Sequence, residues 1–115
     1  SHEKNLFFNK EFVNYYKNYL PNLVVIIPSK FDVYCHFIPD ADCKINDYYK
    51  KIISNDLFKN VHIIDSTPFL IEKASEEIQK NNFLYYLDDT HLNSLGSAYL
   101  SKFLVEKLKV ENILN

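Results

Sequence analysis

A chain of 115 residues with 47% hydrophobic side chains, including nine Phe and nine Tyr, is long enough for one small domain with a substantial core. Its net charge of −2 and its lack of any Arg exclude a basic surface that reads nucleic acid, and exclude bidentate Arg clamps on phosphate or carboxylate. Its one glycine, Gly96, excludes the Gly-rich phosphate loops of nucleotide and dinucleotide sites.

In chain order, Leu6 to Leu20 reads as an amphipathic helix, with Phe8, Phe12, Tyr15, Tyr16 and Tyr19 at helical spacing and Pro21 as its stop. The apolar, β-branched run Leu23-Val24-Val25-Ile26-Ile27 reads as a buried parallel strand that ends at Pro28. That run, Leu23 to Pro28, is the longest apolar stretch and is too short to cross a membrane. Ser29 to Ile45 lacks periodicity and reads as a long loop. Asn46 or Asp47 caps a helix running to about Leu57. Val61 to Asp65 is a second strand, and Ser66 or Thr67 caps a helix with Pro68 in its first turn that Asn81-Asn82 breaks. Phe83 to Leu87 reads as a third strand, Asp88 to Asn93 as a polar loop, and about Ser94 to Lys109 as the last helix.

Strands alternating with helices predict a single α/β domain over residues 1–115, a small three-layer α/β/α (flavodoxin-like) fold with a short parallel sheet. So few glycines are unusual in a complete enzyme domain, whose tight turns use them, and suggest a fragment of a larger domain. A three-stranded sheet leaves two edges open to pairing with another copy or with the rest of the domain. Cys35 and Cys43 match no bridge signature and read as free thiols, with a disulfide in an oxidising compartment as the alternative. Neither they nor His2, His36 and His62 form a metal-ligand pattern, so no metal or cofactor is expected.

Ligands of open parallel sheets gather at the carboxyl ends of the strands. After the third predicted strand, Asp88-Asp89-Thr90-His91 places two carboxylates and an imidazole within four residues. A carboxylate that fixes one imidazole nitrogen makes the other a general base toward a hydroxyl nucleophile. The plain structural reading is a polar loop with capping Asp residues and a solvated His. Ser29 and Lys30, after the first strand, either line a substrate cleft or are solvated. Tyr34 either donates a hydrogen bond near the site or packs, and Asn93 either approaches substrate or caps the last helix. Ser94 has no strained turn around it and is not proposed as a nucleophile, and Ser66 and Thr67 read as helix caps. Gly96 reads as the point of close approach between helix and strand.

The stretch Leu84-Tyr85-Tyr86-Leu87-Asp88-Asp89-Thr90-His91-Leu92-Asn93-Ser94-Leu95-Gly96 resembles the aspartate–histidine block of SGNH hydrolases, and most nearly that of the alginate O-acetyltransferase-like branch. Val25-Ile26-Ile27-Pro28-Ser29-Lys30, followed by Val33-Tyr34 and Pro39, is similar to that branch's upstream strand-Pro-x-Lys segment. The resemblance implies His91 as general base, Asp89 as its orienting carboxylate with Asp88 second, and Lys30, Tyr34, Asn93 and Asp88 near substrate. It implies an O-acetyltransferase or acetylesterase acting on acyl esters of a polysaccharide, in the periplasm or at the cell surface. In that branch the serine follows the Asp-x-His block, so the nucleophile is expected beyond Asn115, and these residues alone are expected to be inactive. Leu92 stands where the branch usually has Trp. The alternative is a non-catalytic flavodoxin-like module that binds a glycan or a protein.

Overall fold

The computed structural model describes residues 22–43, 51 and 53–111. The helix expected over Leu6 to Leu20 and the start of the one expected from Asn46 or Asp47 lie outside the described residues. The chain forms two compact units, residues 1–25 with 46–64 and residues 26–45 with 65–115.

Two parallel strands, β1 (Leu23–Ile26) and β2 (His62–Asp65), pair in one sheet. The register is set by His62 N–H on the Asn22 carbonyl at 2.9 Å and Ser66 N–H on the Ile26 carbonyl at 3.0 Å. In the first unit Ile64 and Phe58 are buried. Phe58 ends a 3₁₀ turn, Asp56–Phe58, which Asn55 caps by accepting the Leu57 N–H at 3.0 Å.

The second unit holds three helices among the described residues. These are α1 (Lys30–Tyr34), α2 (Thr67–Ile78) and α3 (Ser94–Val110). They surround a core of Val33, Leu70, Ala74, Leu84 and Tyr85, with Phe69, Leu92, Leu95 and Tyr99 packed against it. Burial of Val33 and Leu70 contributes roughly 2–3 kcal/mol each. Phe69 of α2 stacks on Phe103 of α3, with ring centroids 4.7 Å apart, and meets Tyr99 edge-on.

Three expectations are corrected. First, the segment after Ser29 is not a loop at its start. The Ser29 hydroxyl accepts the Asp32 N–H at 3.0 Å, so Ser-x-x-Asp opens α1, and a 3₁₀ turn, Cys35–Phe37, follows. Burial of Val33 and Cys35 holds this short helix, whose length hides any periodicity. Second, Cys35 and Cys43 are joined in a disulfide rather than free. Spacing alone is silent here, because pairing depends on how the chain folds back between them. Third, Phe83 to Leu87 is not a strand of the sheet. Its backbone groups are taken by Tyr34, by Asn93 and by the returning segment 91–93, leaving one antiparallel bridge between Tyr85 and Leu92. The Phe, Leu and Tyr content that suggested a strand fills the core of the second unit instead.

The two longer helices match their sequence signals. Pro68 lies in the first turn of α2, although Asp65 rather than Ser66 takes the Thr67 N–H, at 3.0 Å. Ser66 is fully buried, with its hydroxyl donating to the Ile26 carbonyl at 2.7 Å. At the other end Asn81 adopts a left-handed φ of 61°, and the N–H groups of Asn81 and Asn82 close onto the Ile78 and Glu77 carbonyls. Gly96 lies against the segment as expected, since a Cβ there would stand 2.1 Å from the Leu84 carbonyl oxygen. No helix among the described residues is long and apolar enough to cross a membrane. The disulfide is consistent with an extracellular or periplasmic protein, because such bonds persist where the environment is oxidising.

Candidate acid–base site

The site is built on segment 83–93 of the second unit. The chain runs out through Tyr85 and returns through Leu92. Tyr86 N–H bonds to the His91 carbonyl at 3.1 Å, and Asn93 N–H bonds to the Leu84 carbonyl at 2.9 Å. Leu87 to Thr90 are thereby left as an exposed tip.

Asp89 and His91 meet at this tip. One carboxylate oxygen, Asp89 Oδ1, accepts the His91 backbone N–H at 2.8 Å and also contacts the His91 ring Nδ1. Because a carboxylate only accepts, the proton between them belongs to Nδ1, and Nε2 is the basic nitrogen. The hydrogen bonds from the His91 ring and backbone hold the Asp89 carboxyl below the usual carboxylate range. The His91 side chain is 82% exposed and that of Asp89 48%, so the pair stands open on its Nε2 side.

Four further residues were singled out by sequence, and three of them grip the backbone of segment 83–89. The Lys30 ammonium donates to the carbonyls of Tyr86 (2.7 Å), Leu87 (3.0 Å) and Asp89 (3.2 Å). The Tyr34 hydroxyl accepts the Leu84 N–H at 2.8 Å, and burial pushes its phenol pKa up against the opposing pull of that bond. Asn93 does cap α3, with Oδ1 taking the Gly96 N–H at 2.9 Å. Its amide also donates to the carbonyls of Phe83 at 2.6 Å and Tyr85 at 3.4 Å. Asp88 is exposed at the tip.

Sequence reasoning missed Tyr85, one tyrosine among nine. It is buried and donates its hydroxyl to the Pro28 carbonyl at 2.6 Å, and burial, with Tyr34 and Asp32 adding, pushes its phenol pKa up. The segment thus hangs on Pro28, Lys30 and Tyr34, all within eight residues after β1. Beside the tip lies a cleft of about 520 Å³ whose walls include Phe31, Phe37, Phe83 and Tyr85, and Lys30 and Tyr34 line it as well. That volume falls in the range of small-molecule sites. Among the described residues no group of three His, Cys, Asp or Glu side chains could hold a metal ion.

In comparisons with known proteins, no family model matches the chain, and neither a curated protein nor a solved structure matches it.

Proposed function

We propose that the chain carries the Asp–His half of an SGNH-type acyl transfer site, acting as an O-acetyltransferase or acetylesterase on esters of a cell-surface polysaccharide. The observation that carries this reading is the double hold of Asp89 Oδ1 on His91, which fixes the tautomer and leaves Nε2 open. In this reading Nε2 takes the proton of a serine hydroxyl as that oxygen attacks the acyl carbonyl. The imidazolium, stabilised by Asp89, then returns the proton to the leaving alkoxide. A sugar hydroxyl or a water repeats the cycle on the acyl-enzyme. Ser66, the serine after β2, is buried and donates to the Ile26 carbonyl, and it is the resemblance that implies a nucleophile following the Asp-x-His block later in the chain. The disulfide supports placement in the periplasm or at the cell surface.

The test is acetyl transfer to or from a polysaccharide by the full natural protein. His91→Ala lowers turnover by at least ~10³-fold and Asp89→Asn by ~10²–10⁴-fold. The 115 residues alone leave p-nitrophenyl acetate intact. Polysaccharide turnover unchanged by His91→Ala overturns the reading. A second reading, a glycan- or protein-binding module, is favoured by the exposure of His91, since a catalytic base usually works out of bulk water. Glycan binding that survives His91→Ala in a protein without acyl transfer would establish it.

A further inference from the structure

We infer that Lys30 is the positioning residue of the Asp89–His91 pair, holding the tip in its working shape rather than contacting substrate. An ammonium has three N–H groups, and Lys30 directs its charge at three carbonyls of one short turn, those of Tyr86, Leu87 and Asp89. Three carbonyl oxygens converging on one point repel each other unless a donor lies among them. Here the donor comes from the first residue of α1, a helix fixed by the Ser29 cap and by burial of Val33 and Cys35. One of the three carbonyls is that of Asp89 itself, so the clamp sets the backbone from which the carboxylate reaches His91.

The inference rests on the proposed function for its chemical meaning, but the geometry is testable without activity. The probe is the imidazole ¹⁵N spectrum of His91 in the 115-residue chain, taken above the titration range of histidine. Wild type shows one tautomer, with the proton on Nδ1. In Lys30→Met, which keeps the stem and removes the donors, that single pattern is lost to exchange between tautomers, while the Leu84 N–H stays protected on Tyr34. An unchanged His91 spectrum in folded Lys30→Met overturns the inference. Should Lys30→Met fail to fold, the wild-type ammonium decides. Scalar couplings from Lys30 Nζ to the carbonyl carbons of residues 86, 87 and 89 support the clamp, and their absence overturns it.

In the active full protein, Lys30→Met lowers kcat by ~10²-fold at little-changed KM, the expected effect of a misplaced catalytic group. A rise in KM at constant kcat makes Lys30 a substrate contact and overturns the positioning role. If His91 loses its tautomer in Lys30→Met while His91→Ala has no effect on acyl transfer, the proposed function fails and the clamp stands.

Discussion

Tyr34 and Leu84 lie fifty residues apart in the chain, and the hydroxyl of the first accepts the backbone N–H of the second at 2.8 Å. Leu84 is fully buried, so its N–H has no water to turn to. A side chain therefore does here what a neighbouring strand would otherwise do, and this bond helps to explain why Phe83 to Leu87 stays out of the sheet.

Tyr34→Phe keeps the ring contacts with Phe37, Phe83 and Tyr85 and removes only that acceptor. The orphaned buried N–H costs about 1–3 kcal/mol, to be read from the shift of the urea midpoint at unchanged slope. No shift would mean that the bond does not form in solution.

Asn93→Ala removes a helix cap and two donors to the Phe83 and Tyr85 carbonyls at once. A loss of about 2–3 kcal/mol is expected, more than a cap alone is worth. Asn93→Ser, which can still cap α3 but reaches the two carbonyls poorly, should recover about 1 kcal/mol of it in the same denaturation experiment.

Gly96→Ala sets two effects against each other. Helix propensity favours Ala by about 1 kcal/mol. The new methyl, however, would stand 2.1 Å from the Leu84 carbonyl oxygen and 2.8 Å from Leu92 Cδ2, and a backbone oxygen cannot step aside as a side-chain tip can. The clash wins, and thermal unfolding should show a net loss of at least ~2 kcal/mol.

Glu77 gives the fold an acid dependence. Its buried carboxylate accepts hydrogen bonds from Asn82 at 2.9 Å and Tyr99 at 2.7 Å, with Lys80 3.6 Å away, and these hold its pKa below the usual glutamate range. A carboxyl depressed in the folded state contributes stability that is fully present above its unfolded pKa, about 4.3, and is lost as the pH falls through the folded value. Melting temperatures of wild type and Glu77→Gln should therefore differ at pH 7 and converge as the pH is lowered past about 4. A gap independent of pH would remove the carboxylate from the account.

Much of this molecule is written locally. Pro68 and the Asn81-Asn82 pair mark α2, and the apolar runs mark β1 and β2, because propensity, capping and burial agree at those positions. The Asp89–His91 contact is local too, two residues apart, and so lies within reach of sequence reasoning. Segment 83–87 is different: its β-prone composition is overridden by partners fifty or more residues upstream, Lys30 and Tyr34, too far away for any local window of sequence to reveal. The helix that Ser29 caps reads as loop in the sequence because α1 is only five residues long, too short for apolar periodicity to mark it. Lys30, Tyr34 and Asn93 drew notice as groups near a substrate, and what their sequence positions do not show is that each also bonds to the backbone of the segment carrying the acid–base pair.

The bond between Cys35 and Cys43 also bears on how the protein should be produced. It ties off the stretch carrying Phe37 and Ile38, both of which face solvent across the cleft. A bacterial host that translates the chain in its reducing cytosol would release that stretch as a loose, greasy flap, so purified material would clump. Secretion through an oxidising export route would deliver a monodisperse sample from the same gene.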